Sequence, residues 1–97
     1  MPLPQTVTPE ILAKHAHLTD YEVVQDSFDT QREIKRLIKA RDGYRLVAEA
    51  NMGTSKGRWA YFQERAAEIG IAERQEFVGY LERLLEARRV KQEVENV

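Results

Sequence analysis

Apolar residues recur at intervals of three and four positions through the second half of the chain, and this period is the feature that most constrains the fold. One series is Trp59, Phe62, Ala66 and Ile69. A broader series follows: Phe77, Val78, Tyr80, Leu81, Leu84 and Leu85. Such spacing places side chains on one face of an α-helix. The pattern predicts two core helices, with Trp59, Phe62, Ile69, Phe77, Leu81 and Leu84 at the centre of the fold.

The first helix is predicted to begin at the segment Thr8–Glu10 and to run to about Leu18. This segment combines a hydroxyl cap, a proline that needs no N–H in the first turn, and an acid near the positive end of the helix dipole. Val7 and Leu12 have the spacing of a hydrophobic staple across that start. Residues 1–6 are expected to fray.

Two capping boxes predict the next two helix starts. Thr19 with Glu22, and Thr30 with Glu33, have the three-residue spacing at which hydroxyl and carboxylate each accept a hydrogen bond from an unpaired backbone N–H. The stretch 21–28 between them favours a short helix, although its aromatic and β-branched residues also suit a strand.

Glycines are predicted to divide the remainder into short helices. Asp42-Gly43 would end the third helix and Gly70 the helix that contains Trp59. Residues 44–51 are interpreted as a short helix, with one strand of a hairpin as the alternative. Residues 52–54 form a turn, after which Thr54 or Ser55 caps the next helix.

These elements predict an all-α, single compact domain of five to six short helices, with the longest helix at the C-terminus. The domain would span residues 1–97. Beyond Leu85 the apolar face is interrupted, so residues 88–97 are interpreted as a frayed or protruding helix end. Val90 and Val94 on that end are candidate contacts for a second subunit or a partner protein.

Composition agrees with one small domain in the cytoplasm. The chain has 97 residues, of which 42% are apolar, and it lacks the run of about 18 apolar residues that a membrane span requires. It contains no cysteine, which excludes disulfides, thiolate nucleophiles and cysteine-based metal sites. The first ten residues lack the basic and apolar regions of a signal peptide. We therefore expect a cytoplasmic protein that does not contact membranes.

The near-neutral total charge of −1 conceals a basic middle. Residues 31–65 carry nine basic and four acidic residues, a net charge of +5, whereas residues 1–30 carry −4 and residues 66–97 carry −2. Near-neutrality of the whole chain therefore does not exclude an anionic partner for the middle segment.

Four basic residues share one face of the predicted third helix: Arg32, Lys35, Arg36 and Lys39. We call them the basic patch. Their spacing concentrates positive potential that would attract a phosphate backbone or an acidic protein surface. The alternative is an ordinary solvated face that the acidic N-terminal segment partly neutralises.

The sequence 46–62, LVAEANMGTSKGRWAYF, resembles the helix-turn-helix of tetracycline-repressor-type regulators. It has a first helix rich in small residues, a glycine turn at Gly53, a Ser-Lys-Gly start and an aromatic second helix with Trp59 as the buried anchor. The resemblance implies a DNA-binding regulator in which Ser55, Lys56, Arg58 and Tyr61 contact DNA while the basic patch holds phosphates.

A second resemblance lies further along the chain. The spacing of Ala66, Gly70, Ile71, Phe77 and Leu81 is similar to that in helix-turn-helix units of arabinose-regulator type. The second helix of such a unit would present Glu73 and Glu76, and acidic side chains repel DNA. We interpret this segment as helix–turn–helix packing without a role in DNA binding.

Tyr61 falls on the polar side of its predicted helix together with Arg58 and Arg65. Tyrosine and arginine are enriched at binding hot spots, so these residues and Lys56 form a candidate binding site for protein or nucleic acid. The sequence favours a small non-enzymatic regulatory or adaptor protein that acts by protein–protein contact, with a homodimer as one form. The alternative is a helix-turn-helix regulator that binds duplex DNA through residues 31–65.

Catalysis and metal binding have little support in the sequence. His15 and His17 are two residues apart and would lie on different faces of a helix. The glutamates of residues 64–76 alternate with arginines in the manner of surface ion pairs, and no glycine-rich phosphate loop is present. We expect no enzymatic activity, no catalytic residue, no cofactor and no metal.

Overall fold

The computed structural model describes residues 3–96, in which three helices occur: α1 (Pro9–Lys14), α2 (Asp20–Ala50) and α3 (Ser55–Glu95). The expectation of an all-α chain is confirmed, and α3 is the longest helix. The expectation of one compact domain of five to six short helices is wrong. Two long helices replace the short ones, and the described residues form two compact units, residues 3–30 with 76–96 (unit 1) and residues 31–75 (unit 2).

The predicted helix boundaries inside α2 are wrong because weak local signals do not interrupt a helix that has tertiary partners. Thr30 does not cap a helix; its Oγ1 donates a 2.8 Å hydrogen bond to the carbonyl oxygen of Asp26, one turn earlier in α2. A Cβ at Gly43 would meet nothing within 4 Å. A glycine inside a helix costs only about 1 kcal/mol relative to alanine, so the flanking helix formers carry α2 through this position.

Gly70 also lies inside a helix rather than at its end. A Cβ at Gly70 would lie 3.3 Å from Cδ1 of Leu37 on α2 and 3.1 Å from a terminal nitrogen of Arg74. The absent side chain therefore lets α2 approach α3 closely, and the carbonyl of Gly70 accepts a 3.1 Å hydrogen bond from Arg74. The signal that predicted a helix C-terminus marks a close helix–helix contact.

Unit 1 contains α1, the first part of α2 and the last part of α3. The cap at Thr8 is confirmed, because its Oγ1 accepts a 3.3 Å hydrogen bond from the N–H of Ile11. The capping box of Thr19 and Glu22 is confirmed as well, with each side chain accepting from the other's N–H at 3.1–3.2 Å. Helix α1 ends at Lys14, earlier than predicted.

The core of unit 1 is Val23 of α2 with Leu81 and Leu84 of α3. Five partly buried side chains pack against these three: Val7, Leu12, Leu18, Phe77 and Leu85. Of the segment predicted to fray, Met1 and Pro2 lie outside the described residues. Leu3 donates a 3.0 Å hydrogen bond to Glu76, and Pro4 accepts one of 2.8 Å from Arg83.

Unit 2 is an antiparallel pair formed by residues 31–50 of α2 and residues 55–75 of α3. Three of its buried positions on α3 carry a small side chain or none, and the fourth is an isoleucine: Gly57, Ala60, Ala67 and Ile71. Ring contacts and ion pairs join the two helices beside these positions. Because a pair of helices buries only one face of each, the opposite face of α3 in this unit stays exposed to solvent.

Candidate functional site

The turn between α2 and α3 is held by side-chain and backbone hydrogen bonds. Gly53 has a φ of +79°, a conformation that glycine adopts without strain. Thr54 caps α3, since its Oγ1 accepts a 3.0 Å hydrogen bond from the N–H of Gly57 and donates one of 2.6 Å to the carbonyl of Asn51. A Cβ at Gly57 would lie only 2.1 Å from that carbonyl oxygen. The predicted turn and the predicted cap at Thr54 are confirmed.

Beside this turn lies a groove of about 600 Å³, which we call the tip groove. Its apolar wall consists of Ala48 and Met52 from the α2 side and of Tyr61 and Phe62 from α3. The side chain of Met52 is 82% exposed, and the rings of Tyr61 and Phe62 meet edge to face with their centroids 5.8 Å apart. An apolar, aromatic surface is therefore open to solvent at the end of unit 2.

Charged side chains surround the tip groove. Nε of Arg45 donates a 2.7 Å hydrogen bond to Oε1 of Glu64, which joins α2 to α3 and raises the pKa of Arg45 further above its ordinary value. A second nitrogen of Arg45 lies 3.5 Å from Glu68. Arg58 and Glu49 complete the rim. The groove can thus receive an apolar group between fixed charges of both signs.

The structure brings two of the four predicted binding residues to this groove, namely Arg58 and Tyr61. Lys56 is exposed in the first turn of α3 but does not line the groove. Arg65 is exposed on α3 one turn after Tyr61 and forms a 3.3 Å ion pair with Glu68. The four predicted binding residues therefore lie in the N-terminal part of α3, and two of them, Arg58 and Tyr61, line the groove.

Three large residues predicted to be buried are exposed instead. Trp59, Phe62 and Ile69 have exposed fractions of 53%, 66% and 58%. The side of α3 that packs against α2 carries Ala60 and Ala67, whose small side chains allow a closer approach of the helix axes. A sequence signal for this arrangement exists, since Ala60, Ala67 and Ile71 also recur at helical spacing, but the larger side chains of the other series outweighed it.

The helices around the turn do not cross in the manner of a helix-turn-helix. Tyr44 of α2 stacks edge to face on Trp59 at a centroid distance of 5.6 Å, Arg45 pairs with Glu64, and Leu37 lies at Gly70. Such contacts continue for several turns on either side, as in an antiparallel helical hairpin. Helices of a DNA-binding helix-turn-helix cross at about 90–120°. Trp59, which the resemblance assigned as a buried anchor, is half exposed.

The basic patch lies on the exposed side of α2 in unit 2. Arg36 is bound to Glu33 of the same helix by two hydrogen bonds, which lower the pKa of Glu33 below its ordinary value of 4.5. The carboxylate of Glu33 therefore neutralises part of the positive charge of the basic patch at Arg36. Lys35 and Lys39 are exposed. Arg32 is exposed as well, and its side chain interacts with another group of the chain.

In the last turns of α3, the side chain of Arg88 packs against the N-terminal part of unit 1, whereas Val90 and Val94 are exposed. Only 15% of the side chain of Arg88 is exposed, and it donates a 2.7 Å hydrogen bond to the carbonyl of His15. Val90 and Val94 are exposed on α3, as a candidate contact surface requires. Val97 lies outside the described residues.

The described residues contain no group of three or more His, Asp or Glu side chains that could hold a metal ion. Nε2 of His15 lies 3.0 Å from the hydroxyl of Tyr80, in unit 1. Within residues 3–96 no helix is both long and apolar enough to cross a membrane. Comparisons with protein-family models, with curated proteins and with solved structures find no significant match to this chain.

Proposed function

We propose that this chain is a non-enzymatic adaptor that binds another protein through the tip groove. The observation that carries the proposal is the exposure of Met52, Tyr61 and Phe62 around one groove, beside a turn held by hydrogen bonds. Exposed apolar patches on small proteins mark interaction sites, and methionine, tyrosine and arginine are enriched at protein interfaces.

The groove favours an apolar segment of a partner protein that carries an acidic residue. The apolar wall would bury one or two partner side chains, while Arg58 at the rim would pair with a carboxylate beside them. This surface is formed before a partner binds, because Gly53 and Thr54 hold the N-terminal end of α3 in place. A preformed surface binds more tightly, since little conformational entropy is lost on association.

A photo-crosslinking experiment tests this proposal. A photoreactive phenylalanine analogue at position 61 keeps an aromatic ring in the groove, and the same analogue at Tyr21, an exposed tyrosine of unit 1, serves as the matched control. In cells that express the chain, we expect a defined adduct from position 61 and none from position 21. Adding Met52→Asp should reduce that adduct about tenfold, a loss of about 1.4 kcal/mol of binding energy.

The adduct partner is then purified and titrated against the wild-type chain and the Met52→Asp variant. Weaker binding by the variant, with unchanged helix content, supports the adaptor function. Equal adducts from positions 61 and 21, or equal binding by the two chains, would contradict it.

DNA binding is the second candidate function, and the exposure of Lys35, Lys39 and Lys56 favours it. These cations can hold phosphates, and the segment 31–65 that contains them carries a net charge of +5. The test is a titration onto random-sequence duplex DNA at two salt concentrations. Affinity that falls steeply with salt and on Lys56→Glu would support this function, and no binding at low salt would exclude it.

A further inference from the structure

We infer that the exposed face of α3 in unit 2 binds the same face of a second copy of this chain, with the two helices antiparallel. This face consists of Trp59, Phe62, Ala66 and Ile69, and we call it the outer stripe. It lies on the side of α3 away from the buried Ala60, Ala67 and Ile71. Only Phe62 belongs to both the outer stripe and the tip groove.

The first argument is the amount of apolar surface that unit 2 leaves uncovered. More than half of each large side chain of the outer stripe is exposed, and Ala66 between them is exposed as well. An aromatic side chain presents roughly 150–250 Å², so each ring leaves on the order of 100 Å² in water. Four neighbours on one helix face then form a patch of the size that marks an interaction site.

The second argument is the spacing of the stripe. Positions 59, 62, 66 and 69 follow intervals of three, four and three, which is the spacing of the apolar seam of a coiled coil. Antiparallel pairing of two such seams about their common centre places Phe62 opposite Ala66 of the second copy and Trp59 opposite Ile69. Each large ring thereby faces a smaller side chain, which allows the helices to interdigitate.

The third argument is the charge at the two ends of the stripe. Arg58 lies at the N-terminal end of the stripe, and Glu73 lies one turn beyond its C-terminal end. Both side chains are exposed, and neither takes part in an ion pair within the described residues. Antiparallel pairing brings Glu73 of the second copy to the first turn of α3, near Arg58 and the positive end of the helix dipole. Parallel pairing would instead place Glu73 on Glu73 and Arg58 on Arg58.

In the proposed antiparallel dimer, Arg65 of one copy lies near Arg65 of the other, close to the centre of the stripe. The pairing of Arg65 with Glu68 on the same helix, at 3.3 Å, balances that charge. Helix α2 packs on the side of α3 that carries Ala60, Ala67 and Ile71. It reaches the edge of the outer stripe, where Tyr44 contacts Trp59 and lines a cavity with Ala66, and it leaves more than half of each large stripe residue exposed for the second copy. In the proposed dimer, α2 therefore covers one apolar face of α3 and the second copy of α3 covers the other.

Sedimentation equilibrium of the full-length chain tests the inference. We expect a mass that approaches twice 11.3 kDa as the concentration rises. Ala66→Glu places a charge opposite Phe62 and should weaken dimerisation at least about tenfold, while Ala50→Glu, an exposed alanine on α2, should leave it unchanged. Helix content measured by circular dichroism verifies that both variants fold.

A charge exchange tests the orientation. Arg58→Glu and Glu73→Arg should each weaken the dimer, and the double variant should recover most of the lost affinity, because the pair is restored with its signs reversed. The groove variant Met52→Asp should dimerise normally, so this inference can fail without the adaptor function failing. A monomer at every concentration, a dimer unaffected by Ala66→Glu, or a double variant no better than the single ones would overturn it.

Discussion

Arg88 and Asp20 form a 2.9 Å ion pair that joins the last part of α3 to the first residue of α2. The second terminal nitrogen of the same guanidinium donates a 2.7 Å hydrogen bond to the carbonyl of His15, the residue that follows α1. Arg88 thus connects α3 to the start of α2 and to the residue that follows α1. Because its side chain lies among these segments, little of it is exposed.

Replacing Arg88 with alanine should lower the free energy of unfolding by about 1–2 kcal/mol. The carbonyl of His15 loses a charged donor and the aliphatic part of Arg88 leaves its site, whereas the pair with the exposed Asp20 adds little. Urea denaturation measures the change. Arg89→Ala is the matched control, because Arg89 is exposed and binds Glu86 and Glu93 of its own helix. A loss of the same size in both variants would contradict the assigned role of Arg88.

Two glycine-to-alanine substitutions should change stability in opposite directions. Gly43→Ala should raise the free energy of unfolding by about 0.5–1 kcal/mol, because the site is open and alanine favours the helix. Gly57→Ala should lower it by about 1–3 kcal/mol, since the new Cβ would meet the carbonyl oxygen of Asn51. Thermal and urea unfolding of both variants provide the comparison, and a stabilised Gly57→Ala would show that the turn is not as close as described.

The two threonines with capping-box spacing should also respond differently to alanine. Thr19→Ala should destabilise the chain by about 1 kcal/mol, because the N–H of Glu22 loses its acceptor at the start of α2. Thr30→Ala should leave stability unchanged or raise it by at most about 0.5 kcal/mol, since alanine is the better helix former in mid-helix. Equal losses in urea denaturation would mean that α2 is divided at Thr30 after all.

The ion pair of Glu33 and Arg36 should contribute to stability only above the acid range. Hydrogen bonds from Arg36 lower the pKa of Glu33 below its ordinary value of 4.5, so the unfolded chain binds a proton more readily than the folded one as the pH falls. This contribution is present above about pH 4.5 and is lost as the pH falls through the lower, folded-state value. Titration of Glu33 by NMR should show its pKa rising in Arg36→Gln and unchanged in Arg41→Gln, a control whose partner is Asp42. No difference between the two variants would contradict the pairing.

Local signals in the sequence predicted the features that depend on a few neighbouring residues. The caps at Thr8, Thr19 and Thr54 and the turn at Gly53 need only a hydroxyl or a missing Cβ at one position, and all four occur. Thr30 carries the same local pattern as Thr19 without acting as a cap. A helix already formed on both sides of Thr30 leaves no unpaired N–H for its hydroxyl to accept from.

The candidate site was predicted in part. Arg58 and Tyr61 were found because polar and aromatic residues on the outer side of a helix point to binding, and both line the tip groove. Met52 and Phe62 were missed, the first because a turn residue belongs to no periodic series and the second because its series was assigned to the core. Periodicity shows that a helix has an apolar face but does not show whether its own chain covers that face.

The sequence by itself determined that the described chain is helical, that residues 52–54 form a turn and that Thr8, Thr19 and Thr54 act as caps, because these properties depend on interactions within one or two turns. Tertiary structure decided that Gly43 and Gly70 lie within long helices and that α2 packs on Ala60, Ala67 and Ile71. The physical reason is close approach: small side chains let two helices pair tightly, and the larger Trp59, Phe62 and Ile69 then remain on the face that the hairpin cannot bury.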